Sequence, residues 1–202
     1  MEKKGLVALF FLVLYFCFAQ TINDFENKGV YGDVLLNKIL DKIINFVDGA
    51  NKIGFKIYYV SASLNNPEWA YIINDTKEIY IDERVVEAVN NEAELVSIVL
   101  HEICHALNNI VAFDDQEREA SVDFATIKLL ARMHYDTRCM ASALERIIGE
   151  HDKAFNTDRK SYFFNDNRRI ITTRTNAEKY YAKHQKRWMV FSEEEFDRIR
   201  NM

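Results

Sequence analysis

Between Asp33 and Asp48, apolar side chains return every four residues at Leu35, Ile39, Ile43 and Val47, the spacing that lines one face of an α-helix. Gly49 is placed to close it. The period then changes. Phe55 to Val60 is rich in aromatic and β-branched residues and reads as a strand, as do Trp69 to Ile73 and Glu78 to Ile81. Asn74, Asp75, Thr76 and Lys77 form a four-residue turn that would join the last two as an antiparallel hairpin. From Asp82 onward the pattern turns helical. Asn91 followed by Glu94 is a capping-box-like start for the run Ala93 to Leu107, where Leu95, Val96, Ile98, Val99, Leu100 and Ile103 leave almost no polar face. That helix should be buried on most sides. A second is expected from Glu117 to Met133 and a third from Thr137, capped by Asp136, to about Ile148. A basic stretch, Arg159 to Arg187, precedes a short final helix starting at Ser192, with Glu195 in the reciprocal capping position. Strands first and helices after give the α+β class.

Composition sharpens this picture at the N-terminus. Leu6 to Ala19 contains no charge and follows Glu2, Lys3 and Lys4. Fourteen residues at 1.5 Å rise cover about 21 Å, short of the roughly 30 Å hydrocarbon core, so a secretory signal peptide, residues 1–19, is favoured over a membrane anchor. Small residues at Cys17 and Ala19 place cleavage before Gln20, which leaves one domain, residues 20–202, with no stable membrane span. The loss of Glu2, Lys3 and Lys4 takes the net charge from −5 to −6. An acidic chain argues against nucleic acid as the main partner. One proline and six glycines exclude a disordered or linker-rich protein and favour long unbroken elements. Two cysteines remain, Cys104 and Cys139, which could pair with each other but are too few for a disulfide framework, and the favoured reading is two small buried thiols.

The polar residues set into this apolar pattern carry the chemistry. His101 and His105 in the HEICH segment stand at i and i+4, so one helical face can bring two imidazole nitrogens to one metal ion. Glu102 emerges beside them, where a carboxylate can take a proton from a metal-bound water. An unpartnered His or Glu in so apolar a helix would cost about 1 to 3 kcal/mol, and a metal ion supplies the partner. Glu119 and Asp123, again i and i+4, offer one carboxylate as a third ligand and another to orient a ligand histidine. Glu117 reads as a solvated neighbour at the helix start.

The strand and hairpin, NEAELVSIVLHEICHAL, EASVD and LLARMHYDTRCMASALERI together resemble the gluzincin zinc metallopeptidases of the HtpX and CAAX prenyl protease type, over about residues 55–148. The resemblance implies a zincin-like domain: a small antiparallel or mixed sheet packed on the HExxH helix and on a following glutamate-bearing helix. It implies one Zn2+ per chain held by His101, His105 and Glu119, with Glu102 as the base and Asp123 as the orienting carboxylate. His134, Tyr135 and Asp136 fall where that family has a glycine, aromatic, aspartate turn, and Ala143, Leu144 and Glu145 fall in its next helix. This chain departs from the pattern at Val122, at His134 and at Cys104, and only thirteen residues separate His105 from Glu119. The expected activity is hydrolysis of peptide bonds in a protein or peptide substrate, in the periplasm or outside the cell. A non-catalytic binding or chaperone-like protein on the same scaffold is the alternative, and a cytosolic repressor-cleaving peptidase is a third reading. Tyr162, His134, Arg168 and Arg169 are candidates for contacting substrate or stabilising an oxyanion. The edge of the hairpin is a candidate strand for an extended substrate.

Overall fold

A computed structural model of the chain describes residues 29–31, 33–47, 53–62, 68–107, 115–155 and 166–184. Their order is β1 (Gly29–Tyr31), α1 (Val34–Phe46), β2 (Lys56–Val60), β3 (Ala70–Ile73), β4 (Glu78–Asp82), α2 (Glu83–Ala88), α3 (Glu92–Leu107), α4 (Asp115–Arg132), α5 (Cys139–Phe155) and α6 (Asp166–His184). The class is α+β, as the pattern predicts. The expected signal segment, Gly49, Tyr162 and the expected final helix from Ser192 lie outside the described residues.

The four strands form one mixed sheet in the order β1-β2-β4-β3. β3 and β4 make the expected antiparallel hairpin, with Ile72 opposite Ile79. Lys77 turns its corner at φ 58°, and its N–H donates to the Ile73 carbonyl at 2.8 Å. Less foreseeable is that β4 returns between β3 and β2 and runs parallel to β2, pairing Ile57 with Ile79. The sequence pattern also missed β1, a three-residue strand antiparallel to β2.

Helix α1 begins where Asp33 accepts a hydrogen bond from the Leu36 N–H at 2.8 Å, an N-cap that satisfies an otherwise orphaned donor. Its predicted stripe, Leu35, Ile39 and Ile43 with Leu36 and Leu40, is buried. Leu36, Ile39 and Ile43 join Ile57, Ile79 and Ile81 of the sheet and Leu95, Val99, Leu100 and Ile103 of α3 in one apolar core.

Helix α3 lies at the centre of that core, packed against the sheet, α1, α4 and α5. Its start differs by one residue from a reciprocal capping box: Asn91 Oδ1 accepts from the Glu94 N–H at 3.0 Å, while Glu94 Oε2 accepts from the Asn90 N–H rather than that of Asn91, at 2.7 Å. Glu92 is tied down from two sides, by the Tyr135 hydroxyl at 2.6 Å and the Lys42 ammonium at 2.8 Å. These contacts fix the rotation of the helix about its own axis, and therefore the direction of every side chain farther along it.

Helix α4 ends in a Schellman motif. The Tyr135 N–H donates to the Leu130 carbonyl at 2.9 Å and the His134 N–H to the Ala131 carbonyl at 3.3 Å, with His134 at φ 63°. This is the left-handed position that glycine takes most readily, occupied here by His134. Helix α5 starts at Cys139, two residues later than expected, and continues through Gly149 to Phe155. The largest difference from expectation is α6, nineteen residues of helix inside the basic stretch.

Candidate metal centre

Two helices bring five of the predicted residues together. α3 carries His101, Glu102 and His105; α4, packed beside it, carries Glu119 and Asp123. His101 Nε2 and His105 Nε2 lie 3.0 Å apart. Glu119 sets one oxygen against each ring, Oε2 at 3.3 Å from His101 Nε2 and Oε1 at 3.2 Å from His105 Nε2. One ligand atom from each of the three residues lies within 4.8 Å of the others, so the group could hold a metal ion.

The spacing tests that possibility. Zinc bonds of about 2.0 to 2.1 Å in a tetrahedral site place donor atoms about 3.3 Å apart. The three separations quoted above fall at or just below that length. The donor set, two imidazoles and a carboxylate, is one that zinc accepts in a site with an open fourth position.

Asp123, one turn beyond Glu119, is buried, with Oδ1 3.1 Å from His101 Nδ1. The approach is close but misses hydrogen-bond alignment, leaving that ring nitrogen buried without a satisfied partner. Both Asp123 oxygens are otherwise occupied by α6: Arg169 donates from Nε to Oδ2 and from Nη2 to Oδ1, each at 2.8 Å, and Thr173 donates its hydroxyl to Oδ2 at 2.9 Å. Arg169 Nη2 also lies 3.1 Å from Glu119 Oε2.

The electrostatics follow from this crowding. Burial opposes a charge on Glu119, but hydrogen bonds from His101 and His105 overcome it and hold the carboxyl well below its ordinary range. Burial opposes ionised Asp123 too, yet Arg169 and His101 keep it a carboxylate. Against its own burial, His101 is raised to about 9 by its contacts with Asp123 and Glu119. Glu102 moves the other way from Glu119: burial raises it above the usual glutamate range despite the neighbouring histidines. Two carboxyls with opposite tendencies within one site are what a proton-accepting group and a permanently charged ligand require.

The remaining candidates separate from the centre. Arg132 lies thirteen residues past Glu119 on α4, about 20 Å along the axis at 1.5 Å per residue, and His134 lies beyond it, so His134 serves as a helix cap and not as an oxyanion donor. Arg168 is exposed. Arg169, partly buried, is paired with carboxylates, where the expectation had it meeting substrate. Glu117 is exposed, as expected. Cys104 is buried with its sulfur against Thr126, and burial pushes its thiol up to about 12, which leaves it inert as a thiolate. Neither Cys104 nor Cys139 is in a disulfide.

Arg169 and Thr173 are the contributors that the sequence concealed in their proper role. The available signal was the spacing of Ile170, Thr173, Ala177 and Tyr180, a helical stripe within a stretch dominated by charge. Compared by sequence with known protein families and with characterised proteins, the chain matches none. Among the described residues, no helix is long and apolar enough to cross a membrane.

Proposed function

We propose that this protein is an exported zinc-dependent endopeptidase, with His101, His105 and Glu119 holding the ion. The observation that carries the reading is the convergence of two imidazole nitrogens, 3.0 Å apart, with the two oxygens of one carboxylate at 3.2 and 3.3 Å from them, and Glu102 next in sequence to His101. Bound there, zinc would lower the pKa of a coordinated water toward about 7 and polarise a peptide carbonyl. Glu102, its proton affinity raised by burial, accepts the proton of the attacking water at its carboxylate and returns it to the departing amine nitrogen. Asp123 faces the Nδ1 side of the His101 ring at 3.1 Å and favours the orientation that leaves Nε2 for the ion. Among the described residues β3 is an end strand of the sheet and packs against α3, which supports an extended peptide adding to that edge. The N-terminal apolar segment supports export.

The test is Glu102→Gln in the whole protein. Hydrolysis of casein or a misfolded protein should fall by about 10²- to 10⁴-fold while zinc remains bound at one ion per chain. Undiminished hydrolysis would overturn the proposal. A wild-type protein that holds zinc and cleaves nothing would favour the binding role on the same scaffold. Sequencing the N-terminus of the purified native protein checks export, with Gln20 the expected first residue.

A further inference from the structure

The outermost layer of the centre comes from α6, a helix that supplies none of the three ligand atoms. Arg169 and Thr173 stand at i and i+4 on it and both reach Asp123, 46 and 50 residues away in sequence. Asp123 is almost completely buried, and between them the two residues use both of its oxygens. The same Nη2 atom that donates to Asp123 Oδ1 at 2.8 Å lies 3.1 Å from Glu119 Oε2. One guanidinium therefore sits between two carboxylates, buried Asp123 and partly buried Glu119, that face opposite sides of one imidazole, Glu119 at Nε2 and Asp123 at Nδ1. Without a cation between them these carboxylates would repel in a poorly hydrated site, and each would be free to turn. A planar fork can engage two oxygens of one carboxylate and a third oxygen beyond it; an ammonium is a single point and cannot.

Resting on the zinc reading above, we infer that Arg169 and Thr173 are positioning residues of the metal centre. They lock the rotamer of Asp123, and through it the ring orientation of His101, while Arg169 fixes the Glu119 carboxylate against both histidines. The role differs from the substrate-contacting one expected for this arginine, because its observed bonds run to the protein's own carboxylates.

The experiment uses the full chain with Arg169→Gln, Arg169→Lys and Thr173→Val. Three quantities are measured: zinc affinity by chelator competition, the visible spectrum of the Co2+-substituted protein, and the nitrogen-15 shifts of the His101 ring in metal-free protein. Far-UV circular dichroism confirms folding. Arg169→Gln should bind zinc about 10- to 100-fold more weakly, the range for loss of a group that orients a ligand, and its Co2+ bands should move. Arg169→Lys should fail to restore either property, since charge alone does not reproduce the fork. Thr173→Val, which removes one hydroxyl at nearly constant shape, should weaken zinc less and in the same direction. If Arg169→Gln does not fold, Thr173→Val decides. Wild-type zinc affinity and Co2+ spectrum in the folded variants would overturn the inference. If the wild-type protein takes up neither metal, the zinc reading fails by itself. The clamp is then judged by the His101 ring: shifted nitrogen resonances in Arg169→Gln and Thr173→Val support it, and unchanged ones overturn it.

Discussion

Helices α3 and α6 are of similar length, 16 and 19 residues, yet they are held in place by different forces. α3 is an apolar rod with a few polar groups set into it, buried from Glu94 through Cys104. α6 is a polar rod with a narrow inward stripe; of its described side chains only Thr173 and Ala177 are buried. The fixings of α6 are specific and mostly polar: Arg169 and Thr173 on Asp123, Thr137 donating to the Ala177 carbonyl at 2.7 Å, Phe124 edge-on to Tyr180, and Arg138 over the Tyr181 ring. α3 is positioned by area removed from water, α6 by directed bonds. The candidate centre draws its ligands from the first kind of surroundings and its support from the second, so ligand position should be robust and ligand orientation more easily disturbed.

Three measurements would break or sharpen this contrast. The largest effect is expected from Ile103→Ala on α3, a fully buried side chain two residues past His101; unfolding by denaturant should show a loss of about 2 to 5 kcal/mol. A loss under 1 kcal/mol would mean that α3 does not depend on core packing as described.

The second is the pH dependence of stability in chelated protein. The folded state raises His101 to about 9 from about 6.5 in the unfolded chain, so its contribution is fully present below pH 6.5 and is lost as pH rises through about 9. Thermal unfolding of metal-free protein should therefore show a falling midpoint across that window. Saturating zinc, which requires the neutral ring, should raise the midpoint and reduce its decline. A flat profile without metal would contradict the close approach of Asp123 and Glu119 to His101.

The smallest effect is expected from Ile171→Ala on the outer face of α6, where the side chain is 62% exposed. Its stability should stay within about 0.5 kcal/mol of wild type. A larger loss would show that α6 is held by more than its inward polar bonds.

The same contrast explains what could be read from the sequence. The stripe Leu35, Ile39, Ile43, the hairpin around Asn74 to Lys77, and the apolar run ending at His105 are local patterns, each written within one element. So is the i,i+4 spacing of His101 and His105 and of Glu119 and Asp123, which is why the five residues could be named together. Placement was harder where the governing contact is remote. Nothing near β4 says that it pairs in parallel with β2. Gly149 looks like the end of α5, but a side chain there would meet open space, and the helix runs on for six residues. Arg169 belongs to a charged stretch, and its partners lie 46 residues and more upstream, so no local period could mark it as part of the centre. The left-handed backbone at His134 was visible only as a departure from an expected glycine.

The Arg169 and Thr173 bonds also have a consequence in time. The ligand atoms are complete in the chain once Glu119 has been made, but the groups that hold Asp123 come 46 and 50 residues after it. At synthesis rates of about 5 to 20 residues per second, several seconds separate the two events. In that interval a growing chain carries the ligands without their brace. A candidate centre assembled in this order becomes braced only when α6 has docked, so ligand orientation is acquired later than ligand position.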